Sequence, residues 1–216
     1  MPVIGGIILA LILDMPTLFK LKFKATSYLV WSALLLGMSS TQAQVLVMVH
    51  PSFDFQSNAV NLVKRGSETV QPAADNLVNH FLSKNRSVYV LAVHTGESYT
   101  SYLSGLDKTI IVPSQGGENH LKLADRHIYM AGGMMDFCFK RALKDVLEMN
   151  AHSSEPLYVH LVEPAIYNKR FNNKRPEEIQ EKFKEFINDV TDSGKTLQGY
   201  ESLVTIDVIL NTTPLE

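Results

Sequence analysis

The chain of 216 residues has a single cysteine and no surplus of basic residues, and both features restrict what it can be. One cysteine excludes an intrachain disulfide and a structural zinc site built from cysteines alone. The 20 lysines and arginines against 22 aspartates and glutamates give a net charge of −2. Proteins that bind a nucleic-acid backbone usually carry a basic surplus, so we expect no nucleic-acid partner.

Long hydrophobic runs are also lacking near the start of the chain. Residues 15–43 are typical of a secretory signal peptide: a lysine-containing start, the apolar run Tyr28–Gly37, and the small residues Thr41 and Ala43 before a cut after Ala43. The run has about half of the roughly 20 residues that a membrane span needs. We therefore expect export to the periplasm or the medium, without stable membrane insertion after cleavage. A membrane anchor is the alternative.

Residues 1–14 precede a second candidate start, Met15, and contain the short apolar run Val3–Leu13. We interpret them as a gene-model extension, with an additional hydrophobic anchor as the alternative. The remaining residues, 44–216, suit a single domain in length.

Apolar and amphipathic segments alternate along residues 44–216. The expected strands are Val45–Val49, Ser87–Val93, Thr109–Val112, His127–Ala131, Leu157–Val162 and Leu203–Leu210. The expected helices are Asn58–Arg65, Pro72–Leu82, Asn119–Ala124, Met135–Met149 and Pro176–Val190. This alternation predicts an α/β fold, a Rossmann-like three-layer α/β/α arrangement around a mostly parallel central sheet.

Ligands of open parallel sheets collect at the carboxyl ends of the strands. Cys138 follows the fourth expected strand, at a turn into a helix. Backbone N–H groups at such a turn favour a thiolate and stabilise an oxyanion. The alternative is a buried cysteine that packs like a small apolar residue.

The segment Gly132–Cys138 (GGMMDFC), after an apolar strand and before a helix, resembles the nucleophile turn of isochorismatase-like cysteine hydrolases. In that family a glycine ends the strand and a cysteine opens the helix six residues later. Ala142 and Asp145 also match the family pattern, as do Asp54 and Phe55 after the first strand. The resemblance implies a Cys-dependent hydrolase that acts on a small-molecule amide or related acyl group.

Two catalytic positions depart from the family. Its catalytic aspartate falls at His50, and its catalytic lysine falls in the segment of Pro113, Ser114 and Gln115. The resemblance thus implies Cys138 as nucleophile with His50, or else Asp54, as base. A non-catalytic relative that binds a small molecule or a partner protein is the alternative. The expected binding residues are Ser114, Gln115, Gly132, Gly133, Met134 and Phe137.

The histidines show no close metal-ligand spacing, so we expect no metal and no cofactor. The sequence leaves a homo-oligomer open.

Overall fold

The structure, a computed structural model, describes residues 44–51, 60–93, 103–114, 119–168, 174–192 and 196–210. Backbone contacts divide the chain into the units Met1–Thr41 and Gln42–Glu216, and every described residue belongs to the second. The extension 1–14 and the signal peptide 15–43 therefore lie outside the described residues and stay predictions. Within the described part of the chain, no helix is both long and apolar enough to cross a membrane.

The centre of the fold is a six-stranded sheet in the order β3-β2-β1-β4-β5-β6, and each neighbouring pair is parallel. Its strands are β1 Gln44–Val49, β2 Val88–Ala92, β3 Thr109–Pro113, β4 His127–Met134, β5 Leu157–Tyr167 and β6 Val204–Ile209. The strands form where the sequence has apolar, β-branched runs, because a strand buried on both faces needs apolar side chains on both.

Helices cover both faces of the sheet. Helix α1 (Val60–Ser83) lies on one face, where Phe81 packs in one apolar cluster with Leu46 and Met48 of β1. Helices α2 (Lys140–Asn150) and α3 (Pro176–Asp192) lie on the other face, in a second cluster that contains Val45 and Val47. Alternate residues of β1 thus point to opposite layers. The expected three-layer α/β/α arrangement is confirmed.

One helix replaces the two expected between β1 and β2. Pro72 was expected to open a second helix, but it lies inside α1 at an exposed position. Proline lacks the N–H that a helix interior uses, so one carbonyl loses its bond. The helix continues because Ala74, Leu77 and Val78 are buried in the core on the following turns.

The end of β4 also differs from expectation. Gly132 and Gly133 were expected to close the strand, yet β4 continues through both glycines to Met134. The expected helix Met135–Met149 begins with a π-helical turn, Met135–Phe139, and continues as α2 to Asn150. Gly132, Gly133 and Met134 are therefore strand residues, and the turn that carries Cys138 begins only after them.

Two further strand ends differ from expectation, and one expected helix does not form. Pro113 belongs to β3, which is possible because β3 is an edge strand and an edge residue does not need a second hydrogen-bond partner. Strand β5 continues past Val162 to Tyr167, with a register shift against β4. The expected helix Asn119–Ala124 is wrong: its described residues are not helical.

Candidate functional site

The carboxyl ends of β1 and β4 lie side by side at the place where the strand order reverses. From β1 the chain proceeds to β2 and β3 on one side, and from β4 to β5 and β6 on the other. Open α/β sheets bind ligands at such a point, because the helices that follow the two strands leave on opposite faces and open a crevice. His50 directly follows β1, and the turn with Cys138 directly follows β4.

His50 has an unusual backbone. Its φ is 44°, in the left-handed region that residues other than glycine rarely adopt. Its N–H donates to the Leu91 carbonyl of β2 at 2.9 Å, and its side chain is only 3% exposed. Conformations of this kind cost about 1–3 kcal/mol and cluster at functional sites. The structure therefore holds a buried imidazole at the switch point in a strained backbone conformation.

Two glycines of β4 allow β1 to pass close by. Gly132 pairs with Val49 and has a φ of +94°, and a Cβ built on it would lie 2.3 Å from the Val49 carbonyl oxygen. A Cβ on Gly133 would lie 3.0 Å from Val49 Cγ1. Because Val49 immediately precedes His50, this close approach sets where His50 lies relative to the end of β4.

Cys138 lies in the π-helical turn and is partly buried against the core below α2. Its neighbours in the turn differ in exposure: Met135 and Phe139 are buried, whereas Asp136 is exposed and Phe137 is 65% exposed. A large exposed phenylalanine beside a partly exposed thiol is unusual in a buried structural turn. The expected position of Cys138, at the start of a helix after the fourth strand, agrees with the structure.

Ser114 lies at the carboxyl end of β3, where its N–H donates to the Ala92 carbonyl at 2.7 Å. Its side chain is 2% exposed. Lys108 lies before the other end of β3, with an exposed side chain. Ser114 therefore lies at the carboxyl ends of the strands, as His50 and Cys138 do, whereas Lys108 lies at the amino ends. Gln115 and Asp54 lie outside the described residues.

Residues 119–126 form a non-helical segment, here called the strap, which leads away from the carboxyl ends of the strands along α2. Asn150 of α2 holds it: its Oδ1 accepts the Leu123 N–H at 2.7 Å, and its Nδ2 donates to the Leu121 carbonyl at 2.9 Å. Asp145 accepts the Asn119 N–H at 2.5 Å. These side chains replace the hydrogen bonds that the expected helix would have made. Asn150 was missed by the sequence interpretation, although it lies on the apolar face of a helix, where a polar residue is a warning sign.

Two ionisable groups of β5 are perturbed near the same edge. Burial raises the pKa of the Glu163 carboxyl. Burial, and then the charge of Asp75, raise the pKa of Tyr167 to about 12. The Tyr167 hydroxyl donates to Gln71 Oε1 of α1 at 2.8 Å, so it stays protonated and links β5 to α1. Among the described residues, no group of three or more His, Cys, Asp or Glu side chains converges to hold a metal.

Comparison with known proteins finds similarity in fold only. No protein-family model matches the chain, and no curated protein matches its sequence. The structure of a pyrazinamidase/nicotinamidase from Streptococcus mutans is similar to this one with a TM-score of 0.50 and 8% identity, over 70% of this chain and 97% of that one. A nicotinamidase from Staphylococcus aureus has a TM-score of 0.48 and 9% identity, over 69% of this chain and 97% of that one. The α/β fold around a parallel central sheet that the sequence predicted is confirmed, and the first of these structures has a similar fold.

Proposed function

We propose that the chain is an isochorismatase-like hydrolase that attacks an amide or related acyl carbon with Cys138, in a site where His50 acts as base. One observation carries the proposal: His50 and the Cys138 turn follow the two adjacent strands at which the strand order reverses. A nucleophile and a base on opposite sides of that crevice can reach one bound small molecule.

The proposed chemistry uses ordinary thiol catalysis. His50 takes the thiol proton, and Sγ forms a bond to the acyl carbon of the substrate. The backbone N–H groups of Phe137 and Cys138 stabilise the oxyanion. The amine leaves with the proton from the imidazolium, and water, deprotonated by His50, then hydrolyses the thioester. Ser114, Gln115 and Phe137 contact the substrate in this proposal, and Asp54 is the second candidate for the base.

The site differs from the family pattern in charge. Where the family has a lysine, this chain has Pro113, Ser114 and Gln115, and the Ser114 side chain is buried and neutral. A cation 4 Å from a thiolate would stabilise it by roughly 4 kcal/mol at an effective dielectric near 20, as an upper figure. Without that cation we expect a less acidic thiol and slow turnover of simple amides.

Alkylation tests whether Cys138 is activated. Iodoacetamide reacts with the thiolate, so its rate against pH gives the apparent titration of the only cysteine in the chain. The proposal expects a midpoint below the value of about 8.5 of a free thiol, and a shift of the midpoint in His50→Gln. A midpoint at or above the free value in both proteins would refute it. Cys138→Ser is the control for labelling elsewhere.

Hydrolysis itself is tested with nicotinamide and pyrazinamide, because the Streptococcus mutans protein is named for activity on them. Ammonia release should be measurable but slow, and absent from Cys138→Ser. The double variant His50→Asp with Ser114→Lys restores the family charges. It should move the thiolate absorbance near 240 nm to lower pH. An unchanged titration in a folded double variant would mean that these positions do not surround the thiol.

The second candidate function is non-catalytic binding of a small molecule. It is favoured by the neutral Ser114 and by His50 in place of the family aspartate. Saturable ligand binding at the switch point with an unreactive thiol would support it over the hydrolase.

We also propose export, on the strength of the signal-peptide pattern in residues 15–43. N-terminal sequencing of secreted or periplasmic material should give a start near Gln44. Recovery of a chain that begins at Met1 or Met15 from a membrane fraction would contradict it.

A further inference from the structure

Polar side chains gather at the amino ends of the strands, on the sheet face that α1 covers and at the opposite edge from Cys138. Gln44 of β1 pairs with His127 of β4. The ladder of β1 and β2 continues to Ser87, whose carbonyl accepts the Leu46 N–H at 3.1 Å, and this places Arg86 beside Gln44. Neighbouring strands are about 4.8 Å apart, so Arg86 and His127 flank Gln44 within roughly 10 Å.

Ring contacts confirm that Arg86 and His127 belong to the same face. The Arg86 guanidinium lies 5.7 Å from the ring centre of Phe81, which is edge-on to Tyr129 at 5.1 Å. Tyr129 in turn packs on His160 at 4.4 Å, and His160 lies beside His127.

Four polar atoms in this region are buried and make no hydrogen bond in the described structure: Gln44 Oε1, Arg86 Nη1, Thr109 Oγ1 and His127 Nε2. Thr109 of β3 pairs with Val88 of β2, two residues further along the strands than Arg86. More than about 90% of buried polar groups in proteins have a hydrogen-bond partner, and a buried group without one destabilises the fold. Four such atoms at the amino ends of neighbouring strands indicate a hydrogen-bond partner from outside this set of residues.

The chemistry of the four groups favours an anion. Arg86 Nη1 can only donate a hydrogen bond, and the Thr109 hydroxyl can donate one. The amide of Gln44 can turn to present its NH₂ group, because its oxygen and nitrogen are nearly indistinguishable in shape. His127 Nε2 donates once the ring is protonated. Arg86, Gln44 and His127 lie on three neighbouring strands and can therefore donate to the same oxygen-rich ligand, whereas Thr109 lies one strand further out.

A row of hydrogen bonds determines which nitrogen of His127 takes up that proton. Asp207 of β6 lies 2.6 Å from His160 Nδ1 and favours the tautomer that donates from that nitrogen. In this tautomer His160 Nε2 accepts from His127 Nδ1 at 3.2 Å. Tyr158 stacks on His127 at 4.5 Å and fixes the plane of its ring. The site for the added proton is therefore Nε2, the atom that has no partner in the described residues.

We propose that Arg86, Gln44 and His127 bind a small oxyanion, such as a phosphate, sulfate or carboxylate group, and that binding is coupled to the uptake of one proton by His127. This site lies at the other end of the strands from Cys138 and does not depend on the proposed hydrolase activity.

The charges around His127 agree with this coupling. Burial and the neighbouring His160 lower its pKa, and Asp207 opposes them. The other titratable or charged groups that face it are Tyr129, Tyr158 and Arg86. Without a bound anion the imidazole is therefore neutral near pH 7, and an anion beside Nε2 favours the charged form.

Titration of the histidine ring nitrogens by NMR, on the full chain with and without sulfate, tests the proposal. Sulfate is the first probe because its own charge is constant between pH 5 and 8, and samples are matched in ionic strength with sodium chloride. Saturating sulfate should raise the His127 titration midpoint by about one unit, and its affinity should then fall about tenfold in total as pH rises from the midpoint without sulfate to the midpoint with sulfate. Phosphate and acetate then separate a preference for tetrahedral oxyanions from one for carboxylates.

Two variants locate the effect. Arg86→Gln should abolish the sulfate response, and His127→Gln should remove its pH dependence. Arg175→Gln is the matched control, since Arg175 is exposed and pairs with Glu178 on the surface. An unchanged His127 midpoint in sulfate, or an equal shift in chloride, would overturn the proposal in the unmutated protein even if Arg86→Gln fails to fold. A full response in folded Arg86→Gln would overturn it as well.

Discussion

Alanine substitutions at four described glycines can test the close contact between β1 and β4. Gly132 combines a positive φ of +94° with a Cβ position 2.3 Å from the Val49 carbonyl oxygen. Gly199 has a positive φ of +86° but open space around its Cβ position. Gly133 has close neighbours without the positive φ, and Gly105 has neither. Alanine at each position therefore separates backbone strain from crowding.

The expected losses of unfolding free energy follow from backbone strain and from crowding at the Cβ position. Gly105→Ala should be neutral or stabilise slightly, because alanine lowers the entropy of the unfolded chain. Gly199→Ala should cost about 1–2 kcal/mol from the left-handed backbone. Gly133→Ala should cost about 1–3 kcal/mol, because the Val49 side chain must shift. Gly132→Ala has both terms, and its close neighbour is backbone of a central strand that cannot rotate away. We expect about 3–5 kcal/mol, and more for Gly132→Val.

Urea unfolding of all four variants, followed by circular dichroism, measures the free energies. A loss of 4 kcal/mol corresponds to a fall in Tm of about 8–16 °C for a domain of this size. The decisive comparison is between Gly132→Ala and Gly199→Ala, which share the positive φ. If the two cost the same within about 0.5 kcal/mol, the close approach of Val49 does not exist and the reasoning is refuted.

Two further predictions concern buried polar groups. Asn150→Leu should cost about 2–6 kcal/mol in urea unfolding, because the Leu123 N–H and the Leu121 carbonyl lose their partners. The exposed Asn188→Leu should change stability little, and equal costs would contradict the role of Asn150. Glu163→Gln should gain stability relative to wild type as pH rises from 4 to 7. Burial raises the pKa of Glu163, so the folded protein binds its proton more tightly and loses stability as pH rises through that pKa. The exposed Glu181→Gln is the control, and an equal pH trend in both variants would argue against burial of the Glu163 charge.

The strands were predictable because their signal is local. Runs such as Val45–Val49 are buried on both faces, and the structure begins or ends each predicted strand within a few residues of the expected position, β5 extending the furthest. The sequence predicted a mostly parallel sheet but no strand order, so the pairing of β1 with β4, which places His50 beside the Cys138 turn, came from the structure alone. Asp54 and Gln115 lie outside the described residues, so their roles stay predictions.

The errors arose where distant residues decide the conformation. Residues 119–124 were expected to form a short helix, yet they form a strap because Asn150 and Asp145 supply their hydrogen bonds. Pro72 suggests a helix start, but the apolar face after it holds one continuous helix against the sheet. Gly132 suggests a turn, whereas it is required inside β4 by a contact with β1 that no local pattern reveals.

The same contact joins the fold to the candidate site. Gly132 lies against Val49, so the pairing of β1 with β4 brings His50 to a fixed place beside the end of β4. Four residues separate Gly133 from Cys138, and the last three of them lie in the π-helical turn. Substitutions at the glycines must therefore disturb stability and site geometry together. Substitutions of the His50 and Cys138 side chains leave the backbone contact intact, and for that reason they are the changes that test chemistry separately from folding.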